Sequence, residues 1–502
     1  MGKRRASGRA IFTSAVLLIL VAAAAWTLKA RGQKQEEPVT AEAEVPEPVR
    51  QPEAEKPPQP EEPKEPPADE SEEERAARER EAFAADYTSK PLLDTTPIKC
   101  LTMQVGTTAA EVRFNWMSPD GQAGKVVWNN TATQESRTVD AACEPSATMQ
   151  GYYVNKAEVA DLEPGVTYTY RVGNDSGGWS PEYEYQIPQT EGNKFTFLFV
   201  SDAQIGQSEK EAMEVTIDTW DKVVTRLTTY VPEALFMIHG GDQVAEFGNA
   251  EQYDGFLNHL GLYGIPLAPV PGNHDIATEE GAEEKGVPTG PYFYEHFNVP
   301  NRSEHYGMSK FDKDGDYWFV RKNTLFVVLN SSTQQFINEH EEEVDRFIAA
   351  NPEVTWRVLI QHYPAYSGVE HNREKINEGI TKSMIRMGKN FDFDLILAGH
   401  DHVYSRSAFV DKHGNMNSNY EYTSGSTAVN PEGVMFVTAG TASGCMYGLP
   451  ALADPLVVVG ENEVPTAVKI DVSDTEMHIT AYEVDSWTVF DEYTIRKEAG
   501  NS

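Results

Sequence analysis

The stretch FTFLFVSDAQIG, residues 195–206, opens on six residues of apolar or β-forming character and stops at Ser201 and Asp202. The run reads as a buried strand. A strand built to be dry has no packing use for a carboxylate at its tip, so Asp202 points to a ligand. The same grammar recurs four more times: ALFMIHGGD ends at Asp242, IPLAPVPGNHD delivers Asn273 and His274, WRVLIQH ends at His362, and FDLILAGHDH ends at His400 and His402. In α/β sheets, polar groups at the carboxyl ends of strands collect in one crevice, where ligands bind. Gly240, Gly241, Gly272 and Gly399 suit tight turns that let backbone approach a bound ion.

Around these runs, strand-like segments alternate with helical ones. Within residues 209–231, Met213, Ile217, Trp220, Val224 and Leu227 repeat at helical spacing and form a stripe for core packing. The alternation predicts an α/β domain over residues 193–498, a layered β-sandwich flanked by helices. The period-two stretch TAVKIDVSDTEMHITAYEVDSWTVFDEYTIRK, residues 466–497, is expected to complete a sheet of that domain.

Residues 91–190 read differently. Val112, Phe114 and Trp116 share one face, GKVVWN and YTYRV follow, and SPDG and NDSGG supply turns. This is the pattern of an all-β sandwich. Within DLEPGVTYTYRV, the placing of Leu162, Pro164-Gly165 and Tyr168 looks like the tyrosine corner of fibronectin-type-III-like domains.

Residues 34–90 are rich in Pro and Glu, cannot bury enough apolar surface to offset chain entropy, and are expected to form a disordered acidic tether. Before them, residues 1–33 place Lys3, Arg4, Arg5 and Arg9 ahead of an apolar run from Ala10 to Leu28. About 18 apolar residues span a bilayer, whereas a signal-peptide core has ~7–15. A membrane anchor with the rest of the chain outside is therefore expected, and the small residues Ala22 to Ala25 leave cleavage and secretion as the alternative. The formal charge of −36 argues against nucleic acid as a partner. Of the three cysteines, Cys100 and Cys143 fit a disulfide within the sandwich with Cys445 left over, and the alternative is three buried thiols. Nothing in the sequence sets the oligomeric state.

The strand-end donors are carboxylate oxygen, amide oxygen and imidazole nitrogen, with no thiolate. Such a set suits Mn, Fe or Zn. Six of them exceed what one four-coordinate ion needs, which points to two ions sharing a carboxylate.

With SDAQ, GDQ, GNHD, His362 and GHDH in this order, the chain resembles the calcineurin-like metallophosphoesterase superfamily. The preceding sandwich, GHDHVYSRS and His371 make it most similar to the purple acid phosphatase branch, over roughly residues 97–498. The resemblance implies that Asp202 and His402 hold one ion, that Asp242 bridges both, and that Asn273, His362 and His400 hold the second. It assigns His274 and His371 to substrate phosphate or to protonation of the leaving group, in hydrolysis of phosphate monoesters by metal-activated water. Two positions depart from the branch. Gln204 stands where the branch has Gly and other superfamily members a ligating His, so its amide either replaces that ligand or orients the water. Ala245 stands where the branch has the Tyr whose phenolate stabilises ferric iron, which favours two divalent ions.

A phosphodiesterase or nucleotide-cleaving enzyme would use the same metal core. From another class, the sandwich and tether suit a non-catalytic cell-surface adhesin. His239 reads as a core histidine or a partner behind the ligands, and His259, His296, His305, His340, His413 and His478 as surface or packing residues.

Overall fold

Residues 96–206, 213–276, 292–303, 315–331, 337–370, 378–443, 450–460 and 464–498 are described by the computed structural model. The expected anchor (1–33) and tether (34–90), together with His305, His371 and Cys445, lie outside these residues. No helix among the described residues is long and apolar enough to cross a membrane.

The N-terminal β unit contains β1 (Lys99–Val105), β2 (Val112–Ser118), β3 (Lys125–Asn130), β4 (Ser136–Asp140), β5 (Ala142–Pro145), β6 (Tyr153–Val159), β7 (Thr167–Asn174), β8 (Gly178–Trp179) and β9 (Tyr183–Gln186). One of its sheets runs β1-β2-β6-β5 and the other β4-β3-β7-β8, with β9 also on β7. Between them Phe114 meets Tyr170 at 4.8 Å and Trp128 at 5.9 Å between ring centroids. The Tyr168 hydroxyl accepts from the backbone N–H of Glu163 at 2.9 Å, which closes the tyrosine corner. Cys100 and Cys143 are both free, so the disulfide alternative is not realised. Their strands sit at opposite edges of the four-strand group, about 14 Å apart at ordinary strand spacing. A disulfide tolerates a Cα separation of about 7 Å.

The following part contains β10 (Phe195–Val200), α1 (Met213–Tyr230), β11 (Ala234–His239), α2 (Ala250–Leu257), β12 (Leu267–Pro269), β13 (Tyr317–Arg321), β14 (Thr324–Val328) and α3 (Ile337–Ala350). It continues with β15 (Trp356–Ile360), α4 (Glu378–Asn390), β16 (Leu395–Ala398), β17 (Ser405–Ser407), β18 (Ser426–Val429), β19 (Met435–Thr438), β20 (Leu456–Val459), β21 (Thr466–Val472), β22 (Glu476–Glu483) and β23 (Thr488–Arg496). A seven-stranded sheet has the order β13-β14-β15-β16-β19-β17-β20. Facing it, an eleven-stranded sheet runs β18-β23-β22-β21-β10-β11-β12-β1-β2-β6-β5. The C-terminal stretch therefore completes this sheet through β21, and the N-terminal unit joins it where Gln104 of β1 pairs in parallel with Leu267 of β12.

Period-two alternation assigns the layers. In β14, Phe326 and Val328 turn to the core between the sheets, while Leu325 and Val327 turn to a second core with Val344 and Phe347 of α3 and Met384 and Met387 of α4. Across the inner layer Phe197 and Phe236, stacked at 5.3 Å, meet Phe326 edge-on at 5.1 and 5.2 Å. On α1, Trp220, Val223, Val224 and Leu227 are buried, and the Trp220 indole donates to the Phe256 carbonyl at 2.8 Å. The outcome is a layered sheet-on-sheet α/β architecture with few helices.

Candidate metal centre

Strands β10, β11 and β12 run parallel to one another, as do β14, β15 and β16 in the facing sheet. Their carboxyl ends thus open on the same edge. Backbone bonds tie the tips together: Asp202 N–H to the Gly241 carbonyl at 3.0 Å, Gln204 N–H to the Asp242 carbonyl at 2.9 Å, and Gly399 N–H to the His362 carbonyl at 2.9 Å. The two sheets are joined at this edge where Ala442 N–H donates to the Ser201 carbonyl at 2.9 Å.

Five of the candidate residues sit in the left-handed backbone region: Asp202 (φ 56°), Gln204 (40°), Asp242 (52°), His400 (72°) and His402 (57°). Each such residue costs of the order of 1–3 kcal/mol and persists only where its surroundings impose it. The close approach of neighbouring turns imposes it here. A Cβ on Gly272 would lie 2.2 Å from Asp242 Oδ1, and one on Gly399 would lie 2.0 Å from Ser201 Oγ and 2.7 Å from Asp202 Oδ2.

The side chains form two groups joined through a backbone N–H. His402 Nε2 lies 3.3 Å from Asp202 Oδ1, and His362 Nε2 lies 3.1 Å from Asp242 Oδ2. Asn273 Oδ1 lies 3.2 Å from His362 Nε2 and 3.1 Å from His400 Nδ1, while Asp202 Oδ2 accepts from His400 N–H at 2.9 Å. Donor atoms of Asp242, His362 and His400 all lie within 4.8 Å of one another. Gln204 is buried, and its amide Nε2 lies 3.4 Å from Asp242 Oδ2.

Burial opposes the charge of both carboxyls. At Asp202 the facing His402 and then His362 outweigh it, and at Asp242 His362 and then His274 do so, so both stay below the usual carboxylate range. Against its own burial, His362 is pushed up to about 10 by the Asp242 charge and hydrogen bond. His400 is held down at about 4 by burial and then by the charge of His362. The His362 Nδ1–H donates to the Gly240 carbonyl at 2.9 Å, which turns Nε2 toward Asp242 and Asn273. His274 Nδ1–H donates to the Ala245 carbonyl at 2.8 Å, so its other ring nitrogen, Nε2, is not used in this bond.

Asp202, Gln204, Asp242, Asn273, His274, His362, His400 and His402 are therefore brought to one edge, and His371 lies outside the described residues. His239 is buried beside Trp220 and Phe256, and burial holds it at about 3. Its Nε2 faces the Ala203 N–H at 3.4 Å, so it is a core residue that also touches the ligand loop. Two acids inside the quoted motifs carry roles that the motifs alone did not reveal. Asp275 accepts from the N–H groups of Asp242 (2.7 Å), Gly272 (2.8 Å) and Gln243 (2.9 Å) and fixes the turn that presents Asp242. Asp401, between the two histidines of GHDH, accepts from Ser367 Oγ at 2.9 Å and Gly368 N–H at 2.8 Å, anchoring the loop after His362.

Residues 195–404 match the calcineurin-like phosphoesterase family, and residues 99–187 match the purple acid phosphatase N-terminal domain. The chain is similar to probable inactive purple acid phosphatase 27 of Arabidopsis thaliana, 22% identical over 419 residues that cover 73% of this chain and 65% of the relative. It is also similar to probable purple acid phosphatase 20 of the same plant, 23% identical over 338 residues that cover 60% of this chain and 67% of the relative. In fold it is similar to a purple acid phosphatase from yellow lupin (Lupinus luteus) seeds, with a TM-score of 0.64 and 15% identity, covering 81% of this chain and 76% of that one.

Proposed function

The chain belongs to the metallophosphoesterases of purple acid phosphatase type, with their calcineurin-like domain behind their N-terminal domain, and from that premise we propose that it hydrolyses phosphate monoesters with two divalent cations (Mn, Fe or Zn). The observation that carries this is the gathering of six donors at one edge, in which Asp242, Asn273, His362 and His400 are linked by side-chain separations of 3.2 Å or less, while Asp202 lies 3.3 Å from His402 and accepts from the His400 backbone N–H. Two carboxylates kept ionised, three imidazoles and an amide oxygen, with no thiolate, fit hard or borderline divalent ions.

Asp242 would hold both cations, Asp202 and His402 one of them, and Asn273, His362 and His400 the other. Gln204, with its amide directed at the Asp242 carboxylate, would orient that bridging group. When bound, the pair of ions would supply positive charge to the phosphoryl group and lower the pKa of the attacking water. The chain's own part is to fix these donors at a rigid sheet edge and to hold a proton at His274 Nε2 for the departing alkoxide. His371 is proposed for the same side of the substrate. Residues 1–33 and 34–90 are proposed to tether the catalytic part outside a membrane, a placement supported by the basic-then-apolar N-terminus.

One relative carries the word inactive in its name, so turnover is the deciding measurement. The purified chain is expected to contain two divalent ions and to release phosphate from p-nitrophenyl phosphate faster than from the bis ester. Asp242→Asn is expected to lower kcat on the order of 1,000-fold with the circular dichroism spectrum intact. Near-wild-type turnover in that variant refutes the bridging role.

A further inference from the structure

Tyr363 follows the strand-end His362 and has no place in the donor set. Its backbone N–H donates to Ser331 Oγ at 3.1 Å, and Ser331 N–H is bound to the Leu329 carbonyl at 3.1 Å just past the end of β14. The residue is thereby pinned between the tips of β14 and β15. Its ring stands edge-on against the His400 imidazole, 4.5 Å between centroids and tilted by 61°, and 5.6 Å from that of His362. Among the described residues the Tyr363 hydroxyl has no hydrogen-bond partner.

Burial around the centre is one-sided. Asp202, Asp242, His362 and His402 are buried, whereas Asn273, His274, His400 and Tyr363 are partly exposed. Among the described residues of the centre, the second group forms its more open side. Within it Asn273 and His400 belong to the donor set, and His274 has Nδ1 engaged with Ala245. Tyr363 is left with an unclaimed donor on the open side.

We propose that Tyr363 is a substrate-contacting residue whose hydroxyl donates to a non-bridging oxygen of the phosphoryl group, a role that rests on the phosphoesterase reading above. A phenol suits the task because it presents a neutral donor on a rigid arm, and an oxyanion is a strong acceptor. The bond is made to bound ester and to product phosphate alike, so it acts on binding more than on the chemical step.

The test compares the metal-loaded wild type with Tyr363→Phe, which removes one oxygen and keeps the ring against His400. Inorganic phosphate is titrated by calorimetry, and p-nitrophenyl phosphate hydrolysis is followed in parallel. Phosphate Kd and ester KM are expected to rise by roughly 10- to 100-fold, with kcat within about threefold and metal content unchanged. Equal phosphate affinity in the two proteins overturns the proposal. So does a pattern in which Tyr363→Phe matches wild type and only Tyr363→Leu, which also removes the ring, is impaired, because that assigns Tyr363 to packing His400. Phosphate binding needs no turnover, so a chain that binds phosphate yet hydrolyses no ester refutes the hydrolase reading while the Phe comparison still decides this one.

Discussion

His296 shows how a single residue records the cost of joining the two β units. Its ring stacks on Tyr253 at 3.8 Å and 14°, fully buried, and burial followed by the positive charge of Lys156 holds it at about 3. An unfolded histidine titrates near 6.5. Between these values the unfolded chain binds a proton that the folded chain refuses, so stability falls as pH falls through the window. The slope is about 1.4 kcal/mol per pH unit for this group. His296→Phe keeps the stack and removes the proton, and is expected to flatten the loss of urea midpoint between pH 6 and pH 4; parallel slopes for variant and wild type contradict this. At this scale the gathering of Asp202, Asp242, Asn273, His362, His400 and His402 at one edge was legible in the sequence, because the same apolar-run-then-polar-tip pattern recurs five times, although a single such ending, as at His239, is also met by packing. Tyr363 and Asp275 were not. Asp275 binds N–H groups 31 to 33 positions earlier, and Tyr363 meets a histidine of another strand, and no local pattern encodes either contact.

Among elements, the loop joining β5 to β6 depends on a distant acid. Glu295, almost fully buried, accepts from Ser146 Oγ, from Ala147 N–H at 3.0 Å, and from Thr148 N–H at 3.1 Å and Oγ1 at 2.8 Å. Glu295→Ala leaves these donors without an acceptor and is expected to destabilise the fold by about 2–4 kcal/mol in urea unfolding, whereas Glu295→Gln costs less. A midpoint unchanged in the Ala variant removes the loop's dependence on this carboxylate. The alternation that predicted the strands was faithful, as the two cores served by β14 show, but it was silent on what each face meets. Thr102, Gln104 and Asn115 share the face of β1 and β2 that carries Lys156 on β6. A polar face of this kind reads as wet. Instead all three are buried, and Lys156 donates to the Phe297 carbonyl at 3.2 Å in the segment that covers them.

For the molecule as a whole, the N-terminal unit is bound into the phosphoesterase-like part at several points. Besides the β1–β12 pairing, Cys100 N–H donates to Asp254 Oδ1 at 3.1 Å, the Tyr170 hydroxyl to the Tyr263 carbonyl at 2.8 Å, and Arg321 to the Gly106 carbonyl at 3.1 Å. Residues 191–502 alone would expose β12 as an open edge and leave buried polar groups of that seam unpartnered. Such a fragment is expected to aggregate or to lack a cooperative thermal transition, while the whole chain melts in one step; a monodisperse, cooperatively melting fragment would show the seam to be dispensable. Sequence reading separated two β units by composition and motif, and the shared sheet escaped it because one parallel pairing between Gln104 and Leu267 leaves no signature in either strand. That pairing also sets the route of mechanical load. Any pull arriving through the preceding residues enters at β1, along the strand axis and across hydrogen bonds that lie perpendicular to it on the β2 flank and slanted on the β12 flank. Loaded in shear rather than peeled bond by bond, the entry strand would pass tension through β12 toward the turn that carries Asn273, so a force on the leading residues and the edge where the polar tips gather would share a single taut line.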